Sequence, residues 1–373
     1  MKQDGLKVWI EISHAATAHN LKMLRAEVGK AVQIWAVVKS NAYGHGIYDF
    51  SPVAEKAGVD GFCVDSVIEG ETLRAHGIKK PIMALGTTLA ELYEIALAQN
   101  IIVTVSTWEA IDALASFRRH HRRGPEFHLK FDTGMYRQGF PSAEVGAVIA
   151  RLAKEELRPT GVYSHLATAK DPESDFVRQQ LSVFREIIKE FDAAGFNSMM
   201  YHIGSTSTIL LRTAGDFDMV RAGSGLYGFF PSPKILMKSN VVFEPVLSLY
   251  SVISEVKSVG AGEYIGYDRT RCAVKNMRTA ILPVGYWHGI PRALSNKGSV
   301  LINGRRAPIL GLISMDITIV DITDIDCRVG DLAVIIGESD GQTITAWQMA
   351  HESDTVPQEL LTRLNPLIRR IVV

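Results

Sequence analysis

Apolar runs of strand length recur between Val32 and Gly225, and most are followed by a stretch with helical spacing. In order they read "VQIWAVVK", "DGFCVDS", "KPIMALG", "NIIVTVS", "FHLKFDTG", "TGVYSHLA", "SMMYHIGS" and "DMVRAGSG". Between them, "SVIEGETLRAHG", "TWEAIDALASF" and "FVRQQLSVFREIIKEFDAAG" place apolar residues on one helical face. Strands alternating with helices predict βαβ units and a parallel sheet. Eight such units suffice to close a (β/α)8 barrel, a TIM barrel in the α/β class. An open doubly wound sheet is the alternative, but no G-x-G-x-x-G follows the first run to support it.

Beyond about residue 232 the helical patterns are expected to vanish. "PVLSLYSVISEVKSVGAGEYIGY", "RTAILPVGY", "GSVLINGRRAPILGLISMDITIVDIT" and "DLAVIIG" read as successive strands, with Asn303-Gly304 suited to a tight hairpin turn. "PSPKILMKSN" marks a boundary rich in Pro, Ser and Lys, and a short helix, "VPQELLTRL", is expected to close the chain. The expected organisation is a barrel over residues 10–235 and an all-β C-terminal domain over 236–373, with residues 1–9 pairing with the latter. The length of 373 residues agrees, because single cores stop growing near about 250–300 residues.

Charge narrows the partners. Lys plus Arg and Asp plus Glu number 40 each, so no net field recruits nucleic acid or an anionic membrane. Cys63, Cys272 and Cys327 lack C-x-x-C spacing, which argues against a disulfide framework or structural zinc and fits a reducing cytosol. "MKQDGLKVWIEIS" reaches acidic residues too early for a signal peptide, and no apolar segment attains the roughly 18 residues of a membrane span. A cytoplasmic protein with a small-molecule partner is expected, with no metal.

The candidate chemistry lies at the strand ends. Lys39 closes the first run, Lys130 and Asp132 the fifth, His165 the sixth, His202 and Ser205 the seventh, and Arg221 the eighth. A barrel would bring all of them to its C-terminal mouth, where active sites sit. Lys39 could simply extend its amine to solvent, or it could form a Schiff base with a carbonyl group. Pyridoxal phosphate chemistry needs such a lysine, a phosphate cup and a partner for the pyridine nitrogen. "YHIGSTST" and "RAGSGLYG" follow the seventh and eighth strands, where barrel phosphate sites are often built, and Tyr43 could add a hydroxyl. Arg137 is a further cation near the proposed mouth. "RRHHRRG" (Arg118 to Gly124) reads as a solvated loop without metal-ligand spacing.

With these pieces in place, the chain resembles the alanine racemases, pyridoxal phosphate enzymes built as a barrel plus a β-domain. "AVVKSNAYGHG" is similar to that family's cofactor-lysine signature, and "LKFDTGMYRQGF", "YSHLATA", "MVRAGSGLYG", "YIGY", "LPVGYWHGIPR" and "INGRRAPILGLISMD" follow in the family's order. The resemblance implies pyridoxal 5'-phosphate on Lys39, with Lys39 as the base on one face of the substrate α-carbon. It implies Tyr267 of the partner subunit as the base on the other face, and hence a homodimer. It places Arg221 at the pyridine nitrogen, Arg137 near the cofactor phenolic oxygen and the substrate carboxylate, and His165 beside the ring with a hydrogen bond to Arg221. Tyr43, Ser205, Gly223 and Ser224 match phosphate contacts, and Lys130 matches a lysine that is N-carboxylated in many members. Met315, Tyr286 and Asp316 match a substrate wall supplied by the partner. The implied role is racemisation of L-alanine to D-alanine for peptidoglycan.

Departures from the family pattern leave a second reading. Trp287 and His288 replace smaller and acidic residues, while Pro366 and Leu367 align with a family tyrosine and arginine, with Asn365 close by. A roomier pocket would favour serine or a broad set of amino acids, although one altered contact shifts discrimination by only about 1–3 kcal/mol. A barrel-fold decarboxylase would carry a cysteine motif in the β-domain that Cys272 and Cys327 do not form. A cofactor carrier made of a barrel alone would lack the β-domain and Tyr267.

Overall fold

The computed structural model describes residues 5–213 and 217–373. Two compact units emerge from its contacts: residues 16–40 and 51–244 form one, and the N-terminal residues through Ala15, 41–50 and 245–373 form the other.

The first unit is a nearly closed ring of parallel strands wrapped by helices. Gln33–Val37, Gly61–Val64, Ile82–Thr87, Ile101–Val105, Phe127–Asp132 and Gly161–Tyr163 pair in chain order. Met200–His202 pairs with Gly161–Tyr163, and after Ile203 the chain continues as Gly204–Ser205, which pairs with Met219–Ala222. Met219–Ala222 returns to Gln33–Val37 and completes the ring. Strands covered on both faces can be apolar throughout, and Gly61–Val64 is buried at every position. Gly61 is required there, since a Cβ would come within 2.5 Å of the Trp35 indole.

The helices follow their sequence signals. The Ser66 hydroxyl accepts from the Glu69 amide to cap Val67–Ala75, and Thr107 caps Trp108–His121 in the same way through Ala110. Asp175–Ala193 buries Val177, Leu181, Phe184, Ile187 and Phe191 along one face. Two sequence readings are corrected here. Arg118 to His121 are the last turn of a helix rather than a loop, a place where cations offset the C-terminal dipole and His121 stacks on Phe117. The boundary stretch also contains a helix, Pro233–Lys238, started by the Ser232 hydroxyl and a first-turn proline.

The second unit is mostly β. Its main sheet runs Arg305–Pro308, Ser299–Ile302, Leu332–Ser339, Leu247–Val252, Val8–Ile12, Arg369–Val372, and a three-stranded sheet joins Glu255–Val259, Met277–Leu282 and Thr318–Asp321. Asn303 and Gly304 form the two-residue hairpin turn, with φ of 49° and 71°. The unit is not entirely β, because Ala346–Glu352 and Pro357–Thr362 are helices. Nor does a helix end the chain: Arg369–Val372 pairs in parallel with Val8–Ile12, giving that strand's second edge a partner. Among the described residues, no helix is long and apolar enough to cross a membrane.

Candidate active site

Strand register builds the interior of the barrel. Lys130, Tyr163 and His202 are level with one another on three adjacent strands, so their side chains share one inward layer. Tyr163 stacks on His202 with ring centroids 4.8 Å apart, and its hydroxyl lies 2.8 Å from Thr104 Oγ1. Thr104 donates its own proton to Ala84 O at 2.7 Å, and the Tyr163 hydroxyl also donates to Leu85 O at 3.3 Å.

Arg221 crosses this layer, buried to 5% exposure. Its Nη1 donates to His202 Nδ1 at 2.5 Å, and its Nη2 donates to Ser164 O at 2.9 Å and His165 Nδ1 at 3.2 Å. A guanidinium can only donate, so both ring nitrogens are acceptors. The His202 proton is then on Nε2, which donates to His128 Nδ1 at 2.9 Å. Burial, with the Arg221 charge adding to it, pushes His128 and His165 down to about 3 and His202 well below the usual range. All three imidazoles are neutral at neutral pH. Every acceptor that Arg221 meets among the described residues is therefore uncharged.

Further cations surround it. Burial pushes Lys130 down to about 8, aided by Arg221, Arg137 and Lys39 and opposed by Asp132. Its Nζ donates to Gln138 Oε1 at 2.8 Å and sits 5.2 Å from the Tyr163 ring centroid. Asp132 shapes the loop that carries Arg137: one oxygen accepts from the Gly134 and Met135 amides at 2.7 and 2.8 Å, the other from the Arg137 amide at 3.1 Å. A small cavity opens among Lys130, Arg137, Gln138, Ser164 and His165.

Lys39 stands just past the first strand, with Nζ 3.3 Å from Asp65 Oδ1. The Glu69 carboxylate accepts from the Ser40 and Asp65 amides at 2.8 and 2.7 Å, which fixes the ends of two neighbouring strands. Beyond Lys39 the chain makes a left-handed turn: Ser40, Asn41, Ala42 and Tyr43 have φ of 56°, 56°, 52° and 52°. Left-handed helical residues other than glycine cost roughly 1–2 kcal/mol each, so this turn persists only because its surroundings impose it. Ser205, Gly223 and Ser224 lie after the seventh and eighth strands. Thr206 Oγ1 ties those loops together by accepting from the Gly223 and Gly225 amides at 3.2 and 3.3 Å.

The remaining candidates belong to the other unit. Tyr267 sits at the tip of the Tyr264–Ile265 and Arg271–Cys272 hairpin and is 69% exposed. Tyr286 and Met315 are also exposed, on adjoining turns where the Tyr286 amide donates to Ser314 O and the Trp287 amide to Met315 O. Gly285 permits that approach, since a Cβ would lie 2.2 Å from Ser314 O. His288 Nδ1 accepts from the Gly285 amide and lies 4.0 Å from Asp316, and burial lowers its pKa against the raising effect of Asp316. The two departures noted in the sequence are joined: Asn365 Nδ2 donates to Trp287 O at 3.1 Å.

Sequence reasoning left His128, Tyr163, Thr104 and Gln138 out of the site and gave His202 no role. Alternation in "FHLKFD" does put His128 and Lys130 on one face, but only register shows what faces them across the barrel.

A sequence model described as alanine racemase, N-terminal domain, matches residues 12–231, and one described as alanine racemase, C-terminal domain, matches residues 246–372. An alanine racemase of Symbiobacterium thermophilum is 36% identical over 99% of this chain and 98% of its own length. One from Sorangium cellulosum is 35% identical over 96% of this chain and 97% of its own. Among solved structures, the alanine racemase from Bacillus anthracis with bound L-Ala-P superposes with a TM-score of 0.93 at 28% identity, covering 100% of this chain and 96% of that one. The alanine racemase from Bartonella henselae with covalently bound pyridoxal phosphate gives 0.87 at 27% identity, covering 99% and 100%.

Proposed function

The chain belongs to the alanine racemase family, and on that premise we propose that it interconverts L- and D-alanine with pyridoxal 5'-phosphate, using two bases on opposite faces of the α-carbon. The observation that carries this reading is Arg221, a buried cation with only neutral acceptors, in the same barrel as a lysine at a strand end. Such a cation calls for an anionic or acceptor-bearing ligand. The residues present fit the cofactor: Lys39, Lys130, Arg137 and Arg221 are close enough for their charges to act on one another, and hydroxyl and glycine loops follow the last two strands.

When bound, the cofactor supplies the electron sink that makes an amino acid's α-proton removable. Lys39 Nζ would hold it covalently in the resting enzyme and, once displaced by the substrate amine, would move the proton on one face, and Tyr267 Oη of a second subunit would move it on the other. Arg221 would donate to the pyridine nitrogen. Because a guanidinium does not give up its proton, Arg221 would leave a bound pyridine nitrogen unprotonated and the sink modest, which would favour return of the proton to the α-carbon. Arg137 orients the substrate carboxylate, and His165 stands beside the ring. Tyr43, Ser205, Gly223 and Ser224 receive the phosphate. Lys130, N-carboxylated by addition of its neutral amine to carbon dioxide with loss of a proton, would orient Arg137; burial supports this by raising the share of neutral amine.

Exposure of Tyr267, Tyr286 and Met315 supports a homodimer in which these residues, with Asp316, complete the partner's site. A proton-transferring phenol open to water would otherwise gain nothing from the protein's field. Three unpaired cysteines fit a cytoplasmic enzyme, and its product would feed peptidoglycan. The Asn365–Trp287 bond, beside Pro366, favours a second reading in which the wall is altered enough to admit serine or larger amino acids.

The test is α-proton exchange in deuterated water followed by NMR, with chiral analysis, on L-alanine, L-serine, L-lysine and L-arginine. Exchange with inversion fastest on alanine is expected. Faster turnover of serine would transfer the assignment to the second reading, and no exchange on any of the four would overturn both.

A further inference from the structure

We propose that Arg370 is a positioning residue for the cofactor: it clamps the left-handed turn that leaves Lys39 to the loop 365–368, and so fixes the placement of Tyr43. This inference rests on the reading of Lys39 and Tyr43 as cofactor residues.

Arg370 lies on the last strand, Arg369–Val372, at 7% exposure. Its Nε and Nη2 donate to Gly44 O at 3.1 and 2.8 Å, and its Nη1 donates to Ile368 O, Pro366 O and Asn365 O at 2.8, 3.1 and 3.3 Å. All of these acceptors are main-chain carbonyls. Burial lowers its pKa, and Asp49 is the opposing charge. One planar fork thus joins two segments that are far apart in sequence, and it grips one of them with both an Nε and an Nη donor. A lysine has no comparable fork.

The gripped segment needs holding. Ser40 to Tyr43 are four consecutive non-glycine residues with positive φ, a conformation that survives only when neighbours over-determine it. Asn41 braces the turn from within, its carbonyl accepting from the Gly44 and Gly46 amides and its side chain accepting from the Ile47 amide at 2.8 Å. The outer face has no slack. A Cβ at Gly44 would lie 1.8 Å from Leu361 O, and one at Gly46 would lie 2.4 Å from Arg370 Cδ. Tyr43 immediately precedes Gly44, whose carbonyl is held, so a shift of Gly44 would carry the Tyr43 hydroxyl with it.

The holoenzyme is stripped of cofactor and titrated with pyridoxal phosphate, following the visible absorbance of the lysine-bound form. Arg370→Lys should weaken cofactor binding by about tenfold or more, since small misplacements of a positioning group are costly. A merely structural role would leave the effect of Tyr43→Phe on that binding unchanged in the Arg370→Lys background. Positioning through Tyr43 requires that effect to shrink, and multiplicative losses would overturn the proposal. Should Arg370→Lys fail to fold, Asn41→Ala loosens the same turn with Arg370 intact: weaker cofactor binding that likewise blunts Tyr43→Phe supports the clamp, and unchanged binding overturns it. A wild-type protein that binds no cofactor, or a Lys39→Ala variant that keeps the absorbance, would instead overturn the underlying reading, and the clamp's role with it.

Discussion

The barrel unit and the β unit offer their functional groups in opposite ways. In the barrel, Arg221 and Lys130 are nearly enclosed, at 5% and 6% exposure, and the protonation of His128, His165 and His202 is set by burial and by the arginine beside them. In the β unit, Tyr267, Tyr286 and Met315 project from turns with between 43% and 69% of their surface exposed. The first arrangement fixes electrostatics within one chain. The second leaves its side chains in water, and they would acquire a low-dielectric setting only when covered. The difference separates the proposed work of a single subunit, holding the cofactor, from what the proposed second subunit adds.

The largest test of that division removes the barrel's lysine. Lys39→Ala should abolish racemisation and the visible absorbance of bound cofactor together; an unchanged spectrum would detach Lys39 from the site. Next is the β unit. Tyr267→Phe should lower kcat for L-alanine by about 10²–10⁴-fold while cofactor stays bound, the range for a lost acid–base group. Full activity would remove the exposed hairpin from the chemistry and undo the comparison.

Arg221→Gln sharpens the barrel side. It leaves Ser164 O, His165 Nδ1 or His202 Nδ1 short of a donor, and one buried unsatisfied group costs about 1–3 kcal/mol, readable by denaturant unfolding of the cofactor-free protein. Loss of activity with no loss of stability would mean that the network is looser than its distances imply.

Proton linkage gives a prediction of similar size. His128, His165 and His45 titrate near 3 when folded and near 6.5 when unfolded, with burial as the first cause in each. Between those values the unfolded chain binds more protons, so stability rises with pH and is lost on acidification, by about 1.4 kcal/mol per pH unit for each fully linked histidine. His128→Gln should flatten the slope of stability against pH between 4 and 6 by roughly one such proton; an unchanged slope would deny that His128 is held neutral. A Lys130 without the carboxyl group has the same sign at higher pH: folded near 8 against 10.5 unfolded, it makes stability rise with pH between those values. The smallest effect concerns the β unit alone. Gly304→Ala, at φ 71° and with its Cβ 2.7 Å from Asp340 Cβ, should cost about 1–2 kcal/mol in unfolding without altering kcat.

Much of the fold was legible in the chain. The eight strand runs, their alternation with helices and the change of pattern after about residue 232 follow from local periodicity, which depends only on which residues share a face. Caps such as Ser66 and Thr107 are equally local. The helix at Pro233–Lys238 was hidden because its Pro and Ser read as breakers when they were starters. The strand after the last helix was hidden because "RRIV" offers too few residues for a period to show.

What the sequence by itself determined is the order of elements and the candidate residues at their ends, with Lys39 after the first strand and Arg221 on the eighth. Tertiary structure alone decided which side chains meet. His128 and His202 are 74 residues apart and share a hydrogen bond because Gly161–Tyr163 pairs with both of their strands. Arg370 reaches Gly44 across 326 residues because the segment 41–50 gathers with the β unit. The reason is physical: periodicity records which way a side chain points, whereas register, burial and the protonation that burial imposes are properties of chain segments brought together.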